Sequence, residues 1–159
     1  MTVPYRIHEA DLNIPEAWED RSLTIFRLPG ATGAKDASFV ITRDPTRGKL
    51  DFPAYIATQI EECKAKLPGF VLHKNESFKF QDHSGAWLEY GWKNGNVPTL
   101  IRQVFYDRGQ GALIFTLTLA PDDVAYFDPI WRGVMSNMTL QPLPRAIDDA
   151  PPFPPPAQE

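Results

Sequence analysis

The fold is decided between residues 86 and 119. The run Ala86-Trp87-Leu88-Glu89-Tyr90-Gly91-Trp92-Lys93 leads into Asn94-Gly95. Val97-Pro98-Thr99-Leu100-Ile101-Arg102-Gln103-Val104-Phe105-Tyr106 follows, and after Arg108-Gly109 comes Ala112-Leu113-Ile114-Phe115-Thr116-Leu117-Thr118-Leu119. These runs are rich in aromatic and β-branched residues and separated by glycine turns, which reads as an antiparallel meander. Asn-Gly between such runs is a hairpin signal, because a type I′ turn needs positive φ at both centres. A further strand, Val71–Gln81, joins through a turn at Asp82-His83-Ser84-Gly85.

Hairpin registers sort the meander into two faces, since directly opposed residues share a face. A two-residue Asn94-Gly95 loop pairs Lys93 with Asn96, and a tight turn at Arg108-Gly109 pairs Tyr106 with Gly111. One face then collects Phe78, Phe80, Trp87, Leu100, Val104, Leu113, Phe115, Leu117 and Leu119, with Glu89 and Arg102 as a diagonal ion pair near its rim. The other collects Leu88, Tyr90, Trp92, Ile101, Gln103, Phe105, Ala112, Ile114, Thr116 and Thr118. An antiparallel sheet covered on one face normally turns a polar face to water. This second face is apolar, broken only by uncharged Gln and Thr, and such patches mark interaction sites. Three covers are open: the chain's own N-terminal segment or tail, a partner or second copy, or a slipped register that swaps the last strand's faces.

Outward from the meander, strands are expected at Leu23–Leu28 and Ala37–Arg43, with shorter extended segments at Tyr5–His8 and Leu12–Ile14. If Phe26, Leu28, Phe39 and Ile41 face the helices, then Leu23, Ile25, Arg27, Ser38, Val40 and Thr42 lie on the open side. A helix is predicted from Pro53 to Lys66, with Asp51 as N-cap and a stripe of Phe52, Ile56, Ile60, Cys63 and Leu67. A second helical region spans Pro121 to about Asn137, with Val124, Phe127, Trp131, Val134 and Met138 on its apolar side and a fresh start at Asp128-Pro129. The expected class is therefore α+β. A twisted antiparallel sheet of about six strands carries both helical regions on one face and leaves the other open. Residues 1–140 form one domain. Residues 141–159 hold seven of the sixteen prolines, ending Pro151-Pro152-Phe153-Pro154-Pro155-Pro156, a tail suited to extended polyproline conformation and to docking around Phe153.

Composition removes several function classes. A net charge of −4 over 159 residues argues against nucleic-acid binding, which needs a basic stripe. A single cysteine, Cys63, leaves no internal disulfide, and its place on the helix stripe suits a buried structural thiol. No basic segment followed by an apolar run opens the sequence, and no apolar run reaches the ~18–20 residues of a membrane span, so a cytoplasmic protein that is not membrane-inserted is expected. His8, His73 and His83 lack metal-ligand spacing, and Gly30-x-x-Gly33 lacks the lysine of a phosphate loop. No enzyme activity, metal or cofactor is expected.

The chain resembles the DcrB-like proteins of the PsbP-like fold, and more closely the Eag (effector-associated) chaperones of bacterial type VI secretion. The resemblance covers about residues 3–140. It rests on Tyr5-Arg6-Ile7-His8-Glu9-Ala10, Asp20-Arg21-Ser22-Leu23-Thr24-Ile25-Phe26, Ala37-Ser38-Phe39-Val40-Ile41-Thr42-Arg43 and Gln103-Val104-Phe105-Tyr106. It implies a cytoplasmic homodimer whose concave sheet face binds N-terminal transmembrane helices of a secreted toxin effector. The effector carries a PAAR domain, and the chaperone also engages the adjoining pre-PAAR segment before loading on the secretion spike. Joined to the face assignment, it makes Ile25, Ser38, Val40, Leu88, Ile101, Gln103, Phe105, Ile114 and Thr116 the expected effector-binding face. Two other readings use the same features: a small-molecule or lipid-binding protein with that face as its pocket, and a regulatory module gripping a globular partner.

Overall fold

The computed structural model describes residues 1–31, 33–45, 50–109 and 111–141; the expected tail lies outside the described residues beyond Gln141. The chain opens with a two-stranded hairpin, β1 (Thr2–Arg6) and β2 (Asp11–Pro15). The main sheet comprises β3 (Thr24–Leu28), β4 (Ala37–Asp44), β5 (Val71–Phe80), β6 (His83–Asn94), β7 (Val97–Asp107) and β8 (Ala112–Leu119). Helix α1 (Phe52–Lys66) joins β4 to β5, and α2 (Val124–Ser136) follows β8. The strand order is β3-β4-β8-β7-β6-β5 and every pairing is antiparallel. This is the expected six-stranded sheet with two helices, open rather than closed into a barrel.

The turns differ from expectation by even steps. Gly95 and Asn96 form the β6–β7 loop, closing on Asn94 opposite Val97. Gly95 has φ 64° and Asn96 is not among the positive-φ residues, which is the type II′ pattern with glycine first. At β5–β6 the loop is Gln81-Asp82, both left-handed, and Phe80 faces His83. Tyr106 faces Leu113 rather than Gly111. Each slip moves the pairing by two or four residues, so the side-chain period of two preserves the assigned faces. An irregularity between Leu72 and Lys74 leaves His73 as an extra residue in β5.

The helices occupy opposite faces of the sheet, which corrects the placement of both on one. Phe127, Trp131 and Met135 of α2 pack with Phe39, Leu100, Val104, Phe115, Leu117 and Leu119. Phe52, Tyr55 and Ile56 of α1 pack with Ala86, Leu88, Tyr90, Phe105, Ala112 and Ile114. Both sheet faces are apolar, and each recruits a helix. Asp51 caps α1 as expected, accepting from the Ala54 amide at 2.8 Å. Ile60, Cys63 and Leu67 continue the stripe but are only partly buried. Helix α2 runs through Asp128 and Pro129 without a fresh start. Val134 is exposed and Met135 takes the core position expected of it. On the α2 face, Glu89 lies directly opposite Arg102, which is 5 % exposed. The Arg102 guanidinium donates to Glu89 at 3.1 Å and to Asp128 of α2, and Arg132 reaches the other Asp128 oxygen at 2.9 Å.

Candidate functional site

Helix α1 packs on Ala86, Leu88, Tyr90, Phe105, Ala112 and Ile114 and covers only part of the second face. The observed registers place Ile25 opposite Val40, Val40 opposite Thr116, Thr116 opposite Gln103 and Gln103 opposite Leu88. Five of the nine expected residues therefore form one straight row across five strands. The next row runs Arg27, Ser38, Thr118, Ile101, Tyr90. The third holds Thr42, Ile114, Phe105 and Ala86.

The helix divides the nine residues. Leu88 (1 % exposed), Phe105 (0 %) and Ile114 (8 %) lie in the α1 core. They are corrected from contact surface to core, because the Phe52, Tyr55 and Ile56 side chains already occupy the space above them. Ile25 is 65 % exposed at the sheet edge, and Ser38, Val40, Ile101, Gln103 and Thr116 are half-buried. These six, with Thr42 and Thr118, make an uncovered shelf between α1 and β3. Thr42 and Thr118 were absent from the expected set although strand alternation assigned both to this face.

Gln103 is the polar centre of the shelf. Its Nε2 donates to Thr116 Oγ1 at 3.2 Å, and its Oε1 accepts from the Tyr90 hydroxyl at 3.3 Å. Cys63 Sγ of α1 donates in turn to the Tyr90 oxygen at 3.7 Å. Burial, then the neighbouring Cys63, drives the Tyr90 hydroxyl well above the usual tyrosine range, so it stays a neutral donor and holds the Gln103 amide in one orientation. An amide has two N–H groups, and the second of Gln103 has no protein partner among the described residues. The shelf's only formal charge in these rows is Arg27, which pairs with Asp36 at 2.9 Å on the outer edge. The surface is thus aliphatic, uncharged at its centre, and supplied with hydroxyl and amide hydrogen-bonding capacity. Among the described residues, no three or more His, Cys, Asp or Glu side chains are grouped to hold a metal ion. No described helix is long and apolar enough to cross a membrane.

A family profile described as DcrB matches residues 9–137. The chain is 42% identical over 140 residues to "Effector EagT6" of Pseudomonas aeruginosa, covering 88% of this chain and 97% of that protein. The crystal structure of the Pseudomonas aeruginosa protein PA94 superposes with a TM-score of 0.83 at 41% identity, over 89% of this chain and 98% of that one. LpqN, involved in cell envelope biogenesis of Mycobacterium tuberculosis, shares the fold at 13% identity, with a TM-score of 0.50 over 89% of this chain and 91% of its own. On the profile match and the identity to EagT6, this chain belongs to the DcrB family.

Proposed function

We propose that this protein is a cytoplasmic chaperone-adaptor for a type VI secretion effector. It holds the effector's N-terminal transmembrane helices and the adjoining pre-PAAR segment in soluble form before loading on the secretion spike. The observation that carries this reading is the row Ile25–Val40–Thr116–Gln103 left uncovered by α1. The identity to a protein named Effector EagT6 supports it.

A transmembrane helix is apolar all round and aggregates in water. Its carrier must present apolar surface in place of lipid. From the α1 border to the β3 edge the shelf spans β7, β8, β4 and β3, about 14 Å at ~4.8 Å per strand. A helix with side chains is about 10–12 Å across, so one helix fits the width. Burying ~800 Å² of apolar area contributes about 20 kcal/mol gross at ~25 cal/mol/Å². Lost translational and side-chain freedom offsets much of that. An ionised side chain in this surface would oppose binding, whereas Ser38, Thr116 and Gln103 can hydrogen-bond a polar residue of the guest. The working form is a homodimer, which presents two shelves.

Co-expression tests the reading. An effector fragment containing its first transmembrane helix is expected in the soluble fraction with this protein and in inclusion bodies or membranes without it. A fragment equally soluble in both cases contradicts the proposal. A solution mass near twice 17.9 kDa is expected of the dimer.

A further inference from the structure

On the opposite face, α2 covers the β5–β6 end of the sheet only in part, leaving Phe78, Phe80 and Trp87 partly buried. Between them runs a groove of about 500 Å³ lined by Phe78, Phe80, Trp87, Tyr106, Trp131 and Met135, among others. The Phe78 ring lies over Gly85, where a Cβ would meet it at 2.5 Å. The Trp87 and Trp131 rings lie 5.0 Å apart, and the Lys74 ammonium sits 3.4 Å from the Trp87 ring centre.

Buried indole N–H groups ordinarily find an acceptor, yet Trp87 Nε1 and Trp131 Nε1 at the groove, like Trp92 Nε1 on the other face, have none among the described residues. Trp131 is itself buried, 4 % exposed. An aromatic groove with indole donors suits a polyproline segment, whose carbonyls are all free of internal hydrogen bonds.

We propose that the groove is the docking site of this chain's own proline-rich segment, Pro151-Pro152-Phe153-Pro154-Pro155-Pro156. The anchoring of the preceding residues directs it there. The Leu140 amide donates to Gln81 Oε1 at 2.9 Å, and the Gln141 carbonyl accepts from Arg108 Nη1 at 2.7 Å, beside His83. Gln81 follows Phe80, so the last described residues sit at one end of the groove. From Phe80 to Glu76, which faces Trp87, is four residues, or about 13 Å. The ten residues from Gln141 to Pro151 reach up to ~31 Å at ~3.1 Å each. The cations Lys74 and Arg132 flank Trp87 and are paired with Glu76 at 3.4 Å and Asp128 at 2.9 Å. Phe153 supplies an aromatic anchor for the Phe78–Trp87 surface. This site lies on the face away from the shelf and stands whether or not the shelf binds effector helices.

Nitrogen-15 indole spectra of the full-length protein test the proposal, with the four signals assigned by Trp→Phe substitutions. The comparison is the full-length chain carrying Pro152→Ser, Phe153→Ala and Pro155→Ser. The Trp87 and Trp131 indole signals are expected to shift and to exchange with solvent at least tenfold faster in the variant, while Trp18 and Trp92 stay in place. A synthetic peptide of residues 146–159 added to the variant restores the original positions. Unchanged Trp87 and Trp131 signals overturn the proposal. So does a failure of the peptide to restore them at millimolar concentration. Signals that follow protein concentration rather than the tail substitutions assign the groove to a second copy and overturn it as well.

Discussion

Truncating Phe105 to alanine tests the division of the sheet face by α1. Phe105 is fully enclosed and meets the Tyr55 ring of α1 edge-on, with centroids 6.1 Å apart. Replacement by alanine removes the ring and leaves a cavity that Tyr55, Leu88 and Ile114 fill only in part. Such truncations cost about 3–5 kcal/mol. For a domain of this size each kcal/mol lowers Tm by roughly 2–4 °C, so a fall of about 6–20 °C is expected. Ile25→Ala, on the exposed part of the same row system, is expected to cost under ~1 kcal/mol, because that side chain is already mostly in water. Urea unfolding followed by tryptophan fluorescence gives both values, with the m-value checked for constancy. If Phe105→Ala costs less than ~1 kcal/mol, or the two variants are equally destabilised, α1 does not seal this half of the face.

Three more outcomes follow from the packing. Arg102→Met leaves Glu89 and Asp128 facing each other without their buried cation, which is expected to cost about 3–5 kcal/mol in thermal or chemical unfolding. Arg102, then Arg132, holds the Asp128 carboxyl below the usual aspartate range. Its contribution is present above the unfolded pKa near ~4 and is lost as pH falls through the lower folded value, so the acid side of the wild-type stability profile should flatten in Arg102→Met. Gln81→Ala removes both the Leu140 and the Met138 hydrogen bonds of the clasp, at about 1–3 kcal/mol, read by faster amide exchange at Leu140. Burial pushes the Tyr106 hydroxyl up to about 12. That stabilisation is complete below the unfolded pKa of ~10 and disappears as pH rises through 12, so absorbance titration should show Tyr106 ionising after the exposed tyrosines.

The strands, their order of appearance and their two faces were legible because alternation survives an error of two or four residues in a turn. Asn94-Gly95 and Arg108-Gly109 marked the right hairpins even though the closing pairs fell elsewhere. The start of α1 was legible in Asp51 and Pro53, and Pro68-Gly69 follows its end at Lys66. The expectation of both helices on one face failed at α1. Leu88, Phe105 and Ile114 are as apolar as Val104, Phe115 and Leu117, so composition offers either face to a helix, and only the path from β4 across to the far edge strand β5 selects one. The same ambiguity made three core residues look like contact surface. Tyr90 joins the two halves: its ring packs in the α1 core while its hydroxyl orients Gln103. Nothing in strand alternation distinguishes that role from an ordinary tyrosine on the same face. The groove beside α2 was hidden because Val134, assigned to the apolar side, turns outward and Met135 turns in.

The most direct measurement of the central claim is the affinity of the full-length protein for an effector fragment carrying its first transmembrane helix, compared among wild type, Ile25→Arg and Gln103→Arg. A charge placed on the shelf must be desolvated by the guest, at several kcal/mol. Binding is expected to weaken at least a hundredfold in both variants, with the Tm of Ile25→Arg within about 2 °C of wild type because that side chain packs against little. Undiminished binding by Ile25→Arg and Gln103→Arg would show that the helix is held elsewhere.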